Sequence, residues 1–261
     1  MNMLDLHFDF APSRAARSLG CLVLLNPLGT TTDVWNPLLP ALLERVDVLR
    51  VDYPGHGGSP GRDLPTDIDD IAALVLALLD GLGIDQAHVA GVSIGGMVAL
   101  RVAAAAPERV LSVAAICAAL RMEESLWRDR ERTVMEWGTQ ALAAGLLERW
   151  FTPSFRKEHA EIVAEYERMV LECTDRGYAA YSAVLAGLDL SGRLSEVSAP
   201  ALVIIGAEDP AVPRTHGEEM TRLLPDARLE IFDGVAHMAQ VMAPDRLATA
   251  LIAHATSAMA H

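Results

Sequence analysis

Basic residues are scarce and never clustered: 21 Lys and Arg stand against 35 Asp and Glu, a formal net charge of −14. Nucleic acid requires a stripe of cations, so this composition argues against that partner. The overall field also repels anions, so an anionic small molecule has to be met by a local cation. Aromatic residues make up only 5% of the 261 residues, which disfavours an all-β sandwich and favours helices packed on a sheet. Only three cysteines occur, Cys21, Cys117 and Cys173, with neither metal spacing nor a paired framework. An odd, unpaired count fits a reducing compartment. No apolar run approaches the roughly 20 residues of a membrane span. Met1-Asn2-Met3-Leu4-Asp5 has no basic segment leading into an apolar core, so a soluble cytoplasmic protein is expected. There is no H-E-x-x-H and no Cys/His cluster, and neither a metal nor a cofactor is expected.

Hydrophobic residues supply 51% of the chain, enough for a large core. Continuous apolar runs at 22–25, 46–51, 87–92, 110–116, 201–205 and 228–232 read as buried strands. Helical patterns separate them, which predicts an α/β fold: a mostly parallel central sheet with helices on both faces. Residues 4–10 alternate apolar and polar, as an antiparallel edge strand does. Helices are predicted over 67–82, 94–106, 212–223 and 244–255; the second is small and apolar all round and should be buried. The stretch 121–190 breaks the alternation. It reads as successive helices, contains Trp127, Trp137 and Trp150, and predicts a helical cap inserted into a core formed by 1–120 and 191–261.

The strongest motif is Gly91-Val92-Ser93-Ile94-Gly95-Gly96, which follows a strand and opens a helix. This is the G-x-S-x-G nucleophile elbow in its required context. Small residues flank the serine because the turn leaves no room for side chains, and the following helix N-terminus offers N–H groups to an oxyanion. A serine needs a base, and in this arrangement an acid and then a histidine follow along the chain. Asp209 leaves the end of the 201–205 strand, with Glu208 as its neighbour and rival. His237 follows the 228–232 strand, with Asp233 as an alternative acid; chain order favours Asp209. The second oxyanion donor belongs in Asn26-Pro27-Leu28-Gly29-Thr30, where Pro27 has no N–H and Leu28 does. Leu28 and Ile94 are therefore the expected backbone donors. His88 reads as a satisfied core residue, His56 lies in a tight turn, and His7, His159, His216, His254 and His261 read as surface.

Together these motifs resemble the α/β-hydrolase superfamily over nearly the whole chain. More narrowly, the chain resembles the 3-oxoadipate enol-lactonase family through the 26–30 loop with Trp35, Gly91 to Met97, and Ala106-Pro107-Glu108-Arg109-Val110. In the cap, Trp127 with Arg130, Glu148-Arg149-Trp150-Phe151-Thr152-Pro153, and Arg176-Gly177-Tyr178 carry the likeness. The resemblance implies hydrolysis of an enol lactone in the β-ketoadipate pathway of aromatic catabolism. It also implies a small-molecule pocket touched by Trp127, Arg130 and Trp150, with Arg130 set against a substrate carboxylate. Two departures stand out. Pro27 replaces the family's usual serine, and Tyr53-Pro54 occupies the turn before His56, where those lactonases commonly carry an arginine. Other serine hydrolases (esterases, C–C bond hydrolases, perhydrolases) share the core motifs, and so do ligand-binding proteins built on this scaffold.

Overall fold

The computed structural model describes residues 6–260. Seven strands form one sheet: β1 (Phe8–Ala11), β2 (Cys21–Leu25), β3 (Asp47–Val51), β4 (Ala87–Val92), β5 (Val110–Ile116), β6 (Ala201–Gly206) and β7 (Ala227–Phe232). Their order is β1-β3-β2-β4-β5-β6-β7, with β1 antiparallel to β3 and every other pair parallel. Strands β2, β4 and β6 are buried at every position, because helices cover both faces, and this is why their sequences do not alternate. The antiparallel edge strand β1 spans Phe8–Ala11, and its burial does not follow the expected alternation, since Phe10 is exposed while Asp9 is half-buried; Leu4 and Asp5 of the predicted run lie outside the described residues, as do Met1 to Met3 and His261.

Helix Ile68–Gly81 is capped by Asp67, whose side chain accepts from the Asp70 N–H at 2.9 Å. Helix Ile94–Ala105 is buried around most of its circumference, as its small apolar sequence predicts. The helix predicted from 212 begins instead at Arg214. Asp209 takes the N–H groups of Ala211 and Val212 onto its own carboxylate and holds them in a turn. Helix Pro244–Ala258 runs three residues further than expected. Between β5 and β6 lie five helices: Glu124–Trp137, Gln140–Trp150, Pro153–Glu158, Ala160–Glu172 and Asp175–Leu185. An antiparallel bridge between Arg121 and Asp189 closes the base of this segment. No helix among the described residues is long and apolar enough to cross a membrane.

His88 is a satisfied core residue, bonded to Ser112 Oγ and to the Leu19 carbonyl. The surface reading of His254 is incorrect. The ring is buried, and its Nε2 lies 3.1 Å from the Val113 carbonyl and 3.2 Å from that of Pro200, beneath the sheet. Burial is the main cause that pushes its pKa down to about 4, against the opposing pull of the Val113 carbonyl. Burial also pushes His56 down to about 4. Unfolded, either ring takes up its proton near the ordinary 6.5. The stability tied to keeping them neutral is therefore complete above that pH and is lost as pH falls towards about 4. The urea midpoint is expected to drop over this window. His254→Gln, which keeps an N–H donor without titrating, should show a shallower drop. Equal slopes for the two proteins would remove His254 from the acid response.

Candidate active site

The site forms where the C-terminal ends of β2, β4, β6 and β7 meet, the usual location for ligands in open α/β sheets. Ser93 follows β4 directly with φ 58° and ψ −123°, a left-handed conformation that is costly for a residue with a Cβ. Such strain costs ~1–3 kcal/mol and persists only where the surroundings hold it. Here the Ser93 N–H donates to the Ile116 carbonyl at 2.9 Å, while the Ser93 carbonyl accepts from Gly96 at 3.0 Å and Met97 at 3.2 Å. The glycines allow the close approach. A Cβ on Gly91 would run into the Gly95 backbone, one on Gly95 into the Leu25 and Asn26 carbonyls, and one on Gly96 would lie 2.8 Å from the Ala118 Cβ.

The loop after β2 is held from below. Asn26 is fully buried; its Nδ2 donates to the Val51 carbonyl at 3.0 Å, and its Oδ1 accepts from Trp35 Nε1 at 2.8 Å. Thr30 Oγ1 donates to the Pro27 carbonyl at 2.8 Å, and Gly29 turns the chain with φ 79°. Leu28 is left facing the same cavity as Ser93. Ile94 opens the helix, so its N–H has no intrahelical acceptor.

Asp209 is buried beyond β6. Its Oδ1 accepts from Ala211 at 2.8 Å and Val212 at 3.1 Å, and its Oδ2 lies 2.7 Å from His237 Nδ1. The alternatives Glu208 and Asp233 are both exposed. A carboxylate only accepts, so the neutral His237 ring carries its proton on Nδ1 and presents an unprotonated Nε2. Behind the pair, Cys117 has φ 46° and a Sγ 3.7 Å from the Ala236 carbonyl. Burial, reinforced by the Asp209 charge, raises its thiol pKa well above the ordinary range, so it stays a neutral packing group.

One cavity of about 310 Å³ contains Ser93 and His237 in its walls, together with Leu28, Trp127, Arg130 and Trp150. The structure thus brings the predicted residues together, with Asp209 behind His237. The wall also contains residues the sequence does not mark as site residues, among them Arg121, Glu123, Arg149, Tyr178 and His216. Leu146, Arg149 and Trp150 share one helix face by i, i+3, i+4 spacing, a signal that could have identified Arg149. The sequence reads His216 as a surface residue, and no local pattern marks it as part of the site. The Arg130 guanidinium carbon sits 4.3 Å from the Trp127 ring centroid, a cation–π contact. Burial is the main cause lowering the Arg149 pKa, and the positive charge of Arg130 adds to it. Among the described residues, neither arginine forms a salt bridge.

Residues 22–250 match the family model described as the alpha/beta hydrolase family. The chain belongs to the α/β-hydrolase family. Among similar members is 3-oxoadipate enol-lactonase 2 of Acinetobacter baylyi, 32% identical over 85% of this chain and 84% of that one. The crystal structure of the enol-lactonase from Burkholderia xenovorans LB400 superposes with a TM-score of 0.92 at 29% identity, covering 96% of each chain. A relative of another name, a putative carbamate hydrolase of Azorhizobium caulinodans, is 29% identical over 87% of this chain and 88% of its own.

For this α/β hydrolase the glycines of the elbow are a steric requirement rather than a flexible joint. Gly95→Ala is expected to destabilise by at least ~1–3 kcal/mol through overpacking against the end of β2. Gly192→Ala, at a site with open space, should leave the denaturation midpoint nearly unchanged. Denaturant melts of the two variants compare these costs directly, and equal midpoints would contradict the steric account.

Proposed function

We propose that the protein is a serine hydrolase that opens a carboxylate-bearing lactone of the 3-oxoadipate enol-lactone type, under a roof formed by 121–190. The observation that carries this reading is one cavity combining Ser93 in a strained elbow, His237 bonded to Asp209, and two arginines without acidic partners. Two like charges held close together in a partly desolvated pocket repel each other. A bound carboxylate relieves that repulsion and accepts their hydrogen bonds. Kinship to proteins named enol-lactonases supports the choice of ester chemistry.

In this mechanism His237 Nε2 takes the Ser93 proton as Oγ attacks the lactone carbonyl. The carbonyl oxygen gains charge against the N–H groups of Leu28 and Ile94, which are fixed in place before reaction. Collapse breaks the ring C–O bond, and the ring oxygen leaves as an enolate that tautomerises to a ketone. Because an enolate is a better leaving group than an alkoxide, the C–O bond breaks without prior protonation; the proton held by His237 then passes to the departing enolate, which leaves His237 neutral for the next step. Water, deprotonated by His237, then cleaves the acyl-serine. Asp209 holds the imidazole tautomer throughout. Trp127, Trp150 and Arg130 form the part of the pocket that grips the substrate.

The deciding assay follows hydrolysis of 3-oxoadipate enol-lactone beside neutral lactones and p-nitrophenyl esters. Selective turnover of the acidic lactone is expected; turnover of neutral esters alone would move the substrate to another branch of serine hydrolase chemistry. Ser93→Ala should cut kcat by about 10⁶-fold and Asp209→Asn by about 10⁴-fold. Retained turnover in Ser93→Ala would refute the acyl-enzyme route. Arg130→Ala and Arg149→Ala should each raise KM for the acidic lactone by tenfold or more and leave KM for p-nitrophenyl acetate within about twofold, each arginine giving up one charge-assisted contact. Similar increases for both substrates would mean that the arginines shape the pocket rather than bind its anion.

A further inference from the structure

Two histidines face the cavity, and their Nδ1 partners are chemically opposite. His237 Nδ1 meets a carboxylate, which can only accept. His216 Nδ1 instead receives the backbone N–H of Leu120 at 3.2 Å, and an amide N–H can only donate. The neutral His216 ring must therefore keep its lone pair on Nδ1 and its proton on Nε2. Its Nε2 is not among the buried polar atoms left without a partner, and no hydrogen bond from it occurs among the described residues. A residue that lines the cavity thus carries an N–H donor free of protein partners, while the cavity's other histidine presents a base.

The surroundings keep the ring neutral. Arg121, from the segment after β5, and Glu219, on the same helix as His216, are the charged groups that act on it; they pair with each other at 2.6 Å. Burial and then the Arg121 charge lower the His216 pKa, with Glu219 opposing. Protonating Nδ1 would also break the Leu120 bond. His216 is consequently a poor second base and a poor cation. The cavity already offers cations for a carboxylate in Arg130 and Arg149, whereas a neutral N–H suits a neutral oxygen.

We propose that His216 is a specificity-determining residue whose Nε2–H donates to an uncharged oxygen acceptor of the substrate other than the scissile carbonyl. In an enol lactone that oxygen is the ring oxygen, which becomes the keto oxygen of the ring-opened product. This assignment rests on the cavity being the substrate site argued above, but its tests do not require turnover.

Nitrogen-15 NMR of the histidine rings at pH 7 should show His216 as the Nε2–H tautomer and His237 as the Nδ1–H tautomer. An imidazolium or an Nδ1–H ring at His216 overturns the proposal. Calorimetric titration with 3-oxoadipate and with adipate, which differ by that one keto oxygen, reads the contact. The wild type should bind 3-oxoadipate about tenfold tighter, the effect of one hydrogen bond of ~1.4 kcal/mol. His216→Phe should lose this preference while keeping its affinity for adipate, and His216→Gln, which can still donate, should restore part of it. Equal binding of both acids by the wild type, or an unchanged preference in His216→Phe, overturns the proposal even if the lactone is hydrolysed. A preference that depends on His216 in a protein that spares the lactone would uphold the donor and defeat the lactonase reading instead.

Discussion

The arrangement depends on how closely the helix Ile94–Ala105 approaches the end of β2. At Gly95 the backbone of the elbow lies so near the Leu25 and Asn26 carbonyls, and at Gly96 so near Ala118, that a single methyl group does not fit; at Gly91 the obstacle is the Gly95 backbone itself. This contact holds Ser93 at φ 58° and brings the open N-terminus of the helix towards the loop carrying Leu28. The strain of one residue, ~1–3 kcal/mol, is borne by a core that packs this helix against β4 and β5. Asn26, tied to Val51 and Trp35, fixes the opposite wall from below the sheet.

Polar order in the site comes from what each ring nitrogen faces. A carboxylate under His237 and a peptide N–H beside His216 set opposite tautomers on rings of identical chemistry. Asp209 serves both the ring and the main chain: one oxygen meets His237, and the other gathers Ala211 and Val212, so the acid cannot rotate away without releasing its own loop. Charge is distributed similarly. The chain is strongly acidic, yet two arginines without acidic partners face the cavity.

What could be read from sequence was whatever is encoded locally. The elbow needs its glycines within five residues, the buried strands announce themselves as apolar runs, and an acid and a histidine placed after successive strands follow from chain order. Asp209 and His237 meet in space because β6 and β7 are adjacent and parallel. The residues that escaped detection are those whose direction is set only by packing. His254 sits on the last helix with nothing nearby to mark it as buried, and its partners are carbonyls 141 and 54 residues away. His216 turns inward because Leu120, 96 residues distant, supplies its donor. The helix that carries it starts late because a side chain, Asp209, outcompetes the helix for two N–H groups.

The helical segment between β5 and β6 is attached to the sheet domain by main-chain seams as well as by side chains. Thr174 donates its N–H and its hydroxyl to the Gly55 carbonyl, and Met238 donates its N–H to the Trp150 carbonyl next door to His237. A body swing of the segment would break these bonds together. The scaffold thereby separates two kinds of inheritance. The seams are written in backbone atoms, which most substitutions leave alone, while the inward-looking faces of helices Glu124–Trp137 and Gln140–Trp150 supply side chains to the cavity wall. Exchanging a few inward-facing side chains would reshape the cavity wall while leaving the end that holds Ser93 and His237 untouched.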